Sequence, residues 1–278
     1  MKRYLSKNNF QRFISDFEFL FDLIRNSSGE YDLRLRDNYF NIYYRGNSMM
    51  KIKFRREGYE ITIHKEFICN VFKEDEDRFQ EIVKKAKLSK GGYKIYHLNP
   101  ELLHPFLQSE HLKKIARRVK KVNYGEEIAF EQALITDNLN REDYLIIDRQ
   151  VTEPGLGHRM DLLGLRRVHN NNYAFEVIEV KLGNNIELKE SVARQLSTYL
   201  KHIKDNFDEW KESYENTYKQ LKQTNIFAEP VYDEINITPE LDGRIIVIGY
   251  SGIADGYIKQ LKQKNPKINV QQIKHLIK

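Results

Sequence analysis

The chain has 278 residues, 40% hydrophobic and 31% charged, with 46 basic against 40 acidic side chains and a formal net charge of +6. That is apolar material for one large domain or two modest ones, with a positive excess that suits a polyanion only mildly. The single cysteine, Cys69, excludes an internal disulfide or a cysteine-based zinc cluster, and no apolar run approaches the ~18 residues of a membrane span.

The start, MKRYLSKNNFQRF, is basic but lacks the apolar core of a signal peptide, so a cytoplasmic protein is expected. Residues 8–26 place Phe10, Phe13, Ile14, Phe17, Leu20, Phe21 and Ile24 at helical spacing. After NSSGEYD the pattern alternates: Ile52 and Phe54, then Tyr59, Ile61 and Ile63, step by two, which predicts strands with turns near RGNS and REGY. A helix around 77–87 and a loop, SKGGYK, follow. Residues 1–108 therefore read as an N-terminal α+β domain for substrate recognition or regulation, and 109–278 as a second domain. Arg45, Arg55 and Arg56 read more readily as a solvated strand face than as phosphate ligands.

The stretch EHLKKIARRVKKVNYGEE crowds Lys113, Lys114, Arg117, Arg118, Lys120 and Lys121 onto one helix whose apolar stripe is Leu112, Ile115 and Val119. Such a run is usually a solvated face, but its density also suits phosphate. From Glu126 onward the order is a helix (126–138), a strand (144–151), a hairpin (157–182), one long helix (187–221), a strand (244–251), a helix near 254–264 and a last strand near 268–276. That order predicts a mixed central sheet flanked by helices. Trp210, Tyr214 and Tyr218 extend the apolar periodicity of the long helix, which raises the expectation of a homo-oligomer through 187–221, or of packing on the N-terminal domain.

The hairpin carries acid inside hydrophobic strands. Asn170 lies midway between Asp161 and Glu179, so a turn there makes the two acids cross-strand partners. Alternation puts Glu179 and Lys181 on one face and Ile178, Val180 and Leu182 on the other. Facing carboxylates repel unless a proton or a cation intervenes, and Mg²⁺ takes one or two carboxylates plus waters and phosphate. A surface salt bridge is the plainer alternative. Glu187-x-Lys189 and Glu209-x-Lys211 repeat the acid-x-Lys pattern in polar helical stretches and read as surface charge. In the preceding helix Glu127, Phe130, Glu131 and Leu134 share a face, and in the following one Gln195 lies at the edge of the stripe Val192, Leu196, Tyr199, Leu200 and Ile203.

These parts resemble the PD-(D/E)XK nuclease superfamily: a Glu in the first helix, RMDLLGL in the second strand, VIEVK in the third and QLSTY in the next helix, over about 124–251. The first strand motif is Asp in HRMD without the literal Pro-Asp. The resemblance implies a C-terminal restriction-endonuclease-like αβββαβ core, α/β in class, joined to the N-terminal α+β domain. It implies a metal-dependent nuclease hydrolysing phosphodiester bonds, with DNA as the expected polymer and defence or repair as the expected role. Asp161, Glu179 and the Val180 carbonyl would bind Mg²⁺ or Mn²⁺, Lys181 would position or activate the attacking water, and Glu127, with Glu131 as substitute, would act through a water. Gln195 and Tyr199 would support the site, and Arg159 with the 113–121 cations would meet nucleic acid. The alternative is a non-catalytic nucleic-acid-binding or assembly module on the same fold.

Overall fold

The computed structural model describes residues 2–73, 76–122, 125–154, 156–226 and 232–276. It forms two compact units, Lys2–Ile128 with Gln220–Ala228, and Ala129–Lys219 with Glu229–Lys278. The division falls inside a helix, downstream of the expected boundary at 108/109, so the basic helix belongs with the first unit. Among the described residues no helix is long and apolar enough to cross a membrane.

The first unit opens with α1 (Lys7–Arg25), capped by Ser6, whose hydroxyl accepts from the Asn9 amide at 3.3 Å. Strands β1 (Tyr31–Leu35), β2 (Tyr39–Tyr44), β3 (Asn47–Arg55), β4 (Gly58–His64), β5 (Lys87–Leu88) and β6 (Tyr93–Leu98) form an antiparallel six-stranded sheet in the order β1-β2-β3-β4-β6-β5. Arg45 and Gly46 both take positive φ, 44° and 84°, the turn geometry that matches strand twist in a two-residue hairpin. Helices α2 (Lys65–Ile68), α3 (Glu76–Lys85), α4 (Pro100–Phe106) and α5 (Ser109–Val122) complete the unit. Its core is aromatic: Phe13 and Phe17 of α1 meet Phe40 of β2 edge-on, with centroids 4.9 and 4.8 Å apart.

The second unit contains α6 (Glu126–Asp137) from Ala129 on, β7 (Tyr144–Val151), β8 (Met160–His169), β9 (Asn172–Leu182), α7 (Glu187–Glu190), α8 (Val192–Asp205), most of α9 (Phe207–Gln223), β10 (Asn236–Ile248), α10 (Ser251–Lys264) and β11 (Val270–Ile273). The five-stranded sheet runs β11-β10-β9-β8-β7. β7, β8 and β9 are antiparallel neighbours, whereas β9, β10 and β11 pair in parallel, so the expected mixed sheet is present. β9 is central and buried on both faces, which explains its nearly continuous apolar run. Ile178 and Val180 join Leu162, Ile246, Ile248 and Ile135 of α6 in one core layer. On the other face, Phe175 meets Trp210 and Tyr214 of α9 at 6.2 and 5.6 Å.

The expected single helix over 187–221 is three helices. Ser191 leaves helical geometry at φ −129°, and Asn206 at φ −123°, ψ 31°. Asn206 ends α8 by donating from its side chain to the His202 carbonyl at 2.8 Å, and its own carbonyl accepts from Trp210 at 3.2 Å to start α9. Local side-chain bonding of this kind competes with helix continuation. The aromatic stripe Trp210, Tyr214 and Tyr218 is buried within the second unit, so it supplies no exposed seam for a homo-oligomer.

Candidate active site

The β8–β9 hairpin turns at Asn170, which takes φ 46°. Its ladder pairs Leu162 with Ile178 and Leu163 with Val177, a register that brings Asp161 opposite Glu179 one step further on. The Val180 amide donates to Asp161 Oδ2 at 2.9 Å, which locks that carboxylate onto β9. Lys181 Nζ lies 3.3 Å from Glu179 Oε2 and 3.8 Å from Asp161 Oδ2.

A third carboxylate reaches the same ammonium. Glu187 Oε2 of α7 stands 3.2 Å from Lys181 Nζ, although its sequence setting suggests plain surface charge. The local backbone holds it there. Asn185 Oδ1 accepts from the Glu187 amide at 3.0 Å, Leu188 is fully buried, and Lys189 Nζ sits 4.0 Å above the Tyr257 ring of α10. The approach is tight at Gly183, where a Cβ would meet the Gly249 carbonyl oxygen at 2.3 Å. Acid-x-Lys spacing carried no signal for Glu187, because its role depends on the chain returning after β9.

Glu179 is 1% exposed, and its Oε1 has no hydrogen-bond partner among the described residues. Burial, and then the charge of Asp161, push its pKa well above the usual carboxylate range, while Lys181 opposes the shift. Gln195 and Tyr199 are buried one turn apart on α8. The Tyr199 phenol is raised by burial and by the fields of Glu179 and Asp161, which places it within electrostatic reach of both acids.

Helix α6 places Glu131 within the field of Asp161. Glu131 is buried, and its pKa is raised by burial and by Asp161 against the lowering pull of Arg149. Glu127 stands a turn earlier and is half-buried. Arg149 of β7, fully buried, donates to Glu131 Oε2 at 3.1 Å and to Gln132 Oε1 at 2.7 Å. Its neighbour Asp148 accepts from the Tyr214 hydroxyl at 2.9 Å. Asp148-Arg149 inside YLIIDRQV carries the same sequence signal, charge within an apolar strand, that marks Asp161 and Glu179. Arg159 is exposed just before β8 and helps to lower Glu131 electrostatically.

The basic helix α5 buries Leu112, Ile115 and Val119 as its spacing predicts. Lys113, Arg117, Lys120 and Lys121 are exposed. Lys114 is engaged by Glu110 at 3.4 Å and Arg118 by the Glu66 carbonyl at 3.1 Å, so these two are partly committed to structure.

Among the described residues no group of three or more His, Cys, Asp and Glu side chains is disposed to hold a metal ion by itself. Two carboxylates, one with an unsatisfied buried oxygen, do suit a hard cation that completes its shell with water and substrate. Comparison with protein-family models, with curated proteins and with solved structures returned no match.

Proposed function

We propose that the chain is a Mg²⁺- or Mn²⁺-dependent nuclease, a deoxyribonuclease on a restriction-endonuclease-like αβββαβ core in its second unit. The observation that carries this reading is the convergence of Asp161, Glu179 and Lys181, with Glu179 Oε1 buried and without a hydrogen-bond partner among the described residues. A buried acceptor left unsatisfied costs about 1–3 kcal/mol, a cost that a bound cation removes.

Asp161, Glu179 and the Val180 carbonyl would hold the ion. When bound, it supplies Lewis-acid stabilisation of the charge that develops on the phosphoryl oxygens. The rest is the work of the chain. Asp161 is oriented by the Val180 amide, so its carboxylate meets the ion without reorganising. Lys181 carries a positive charge into a nearly dry site, where it steers a water and offsets charge on the phosphate. Arg149 holds Glu131 within the field of Asp161, and Gln195 and Tyr199 are buried on α8, the Tyr199 phenol within the field of Glu179 and Asp161. Arg159 is exposed at the mouth of β8, where a guanidinium can meet a phosphate.

A second reading, a nucleic-acid-binding or assembly module without catalysis, has one observation in its favour. Lys181 already neutralises both acids, so the charges have a counter-ion without any metal. Supercoiled plasmid, linear duplex, single-stranded DNA and RNA, each with Mg²⁺, Mn²⁺ or EDTA and with wild type beside Lys181→Ala, separate the two. Metal-dependent cutting lost in the variant supports the nuclease. Divalent-ion binding with no cutting of any polymer supports the module.

A further inference from the structure

The six-stranded sheet of the first unit has two unlike faces. Helices α1 and α4 pack on one, through Phe17 against Tyr59 at 5.1 Å and Phe106 against Tyr96 at 5.2 Å. On the other, β3 sets Lys51, Lys53 and Arg55 in one row, alternating with the buried Ile52 and Phe54. Same-face neighbours on a strand repeat at about 6.7 Å, close to the spacing of phosphates along an extended single strand. The register continues the row across the sheet, pairing Tyr39 with Lys53, Lys53 with Glu60, and Glu60 with His97.

The row is neutralised only in part: Glu60, an acid on this face, is taken by Arg55, whose Nε donates at 3.1 Å, and no ion pair engages Lys51 or Lys53 among the described residues. Lys51 instead lies over the Tyr39 ring, 4.0 Å from its centroid, and its pKa is lowered by partial burial and by the charge of Lys53. Lys51 and Lys53 repel each other along this face, a repulsion that a bound anion relieves. Where the row ends, a shallow cavity of about 540 Å³ opens, lined by Arg55, Arg56, Glu57 and His97 among others. Tyr93, at the same face beyond β4, is 45% exposed.

We infer that this sheet face binds single-stranded nucleic acid, with Lys51 and Lys53 on successive phosphates and the exposed Tyr93 ring as a stacking surface for a base. Cations tracking a backbone beside accessible aromatic rings are what sequence-tolerant single-strand binding requires. A flat sheet face sends neither helix nor ribbon into a duplex groove, which argues against double-stranded DNA as the occupant. The inference deepens the nuclease reading by naming a substrate form, but binding without a divalent ion does not depend on cleavage.

The experiment is fluorescence anisotropy of a labelled oligothymidylate about 20 nucleotides long, titrated in EDTA with the full chain at several salt concentrations. Wild type is compared with Lys51→Glu/Lys53→Glu and with the milder Lys51→Gln/Lys53→Gln, each checked for cooperative melting. The double variants are expected to bind about tenfold more weakly or worse, and the log-log salt slope to become shallower by about 1.4, two phosphates' worth for a single strand. Equal affinity in wild type and the Gln pair overturns the inference, as does no binding by wild type. Duplex bound more tightly than the single strand also overturns it. So does polyaspartate displacing the oligonucleotide at equal charge, which marks a site for acidic protein. Loss of cleavage in every assay with this binding intact removes the nuclease reading alone, and intact cleavage with binding insensitive to Lys51 and Lys53 removes this inference alone.

Discussion

Lys181 Nζ lies 3.2 Å from Glu187 Oε2, as close as it comes to Glu179, so one ammonium is shared between the strand that carries it and the short helix that follows. The Glu187 carboxylate gives Lys181 an anchor that is not itself one of the proposed metal ligands. In Glu187→Gln the ammonium falls back on Asp161 and Glu179 and competes with a cation there. Mg²⁺ affinity measured by calorimetry is expected to drop about fivefold, near 1 kcal/mol, with Glu187→Asp partly restoring it. Unchanged affinity means that Glu187 is only a surface partner.

Glu179 makes the metal-free protein sensitive to pH in a direction opposite to that of an ordinary salt-bridged acid. Its folded pKa is raised by burial and by Asp161, so the native state holds this proton more tightly than the unfolded chain. The resulting stability is fully present below the unfolded value of about 4.3 and is lost as pH rises through the raised folded value. Glu179→Gln removes that loss. In EDTA its melting temperature is expected to match wild type at acid pH and exceed it at neutral pH, whereas Mg²⁺ raises the melting temperature of wild type only. A variant less stable than wild type at neutral pH in EDTA contradicts this.

Arg149 is fully buried between Glu131 and Gln132. Arg149→Met strands the Glu131 charge, and removing one partner of a buried pair costs about 3–5 kcal/mol. Chemical denaturation is expected to show that loss, and the double variant Arg149→Met/Glu131→Gln to recover part of it. Additive losses in the double variant sink the coupling.

Trp210 is the chain's one tryptophan and is fully buried against Phe175 and Tyr214. Trp210→Ala is expected to destabilise the second unit by about 3–5 kcal/mol while leaving the sedimentation coefficient unchanged. A wild-type dimer that this substitution converts to monomer restores the stripe as an interface.

Much of this organisation is legible in the order of residues. The strand β7 over 144–151, the hairpin register about Asn170 and the face shared by Asp161, Glu179 and Lys181 follow from alternation with period two, since a slip of one residue would have buried the wrong set. The stripes of α1 and α5 follow from helical spacing for the same reason. Local periodicity reports which side of an element faces the core. It does not report which elements meet. Asn206 divides the expected long helix because its side chain competes for a backbone carbonyl, a choice that periodicity does not record. Glu131 in the field of Asp161, Glu187 beside Lys181 and Arg149 paired with Glu131 were decided by the tertiary structure, where packing sets how far each charge is withdrawn from water and which opposite charge compensates it.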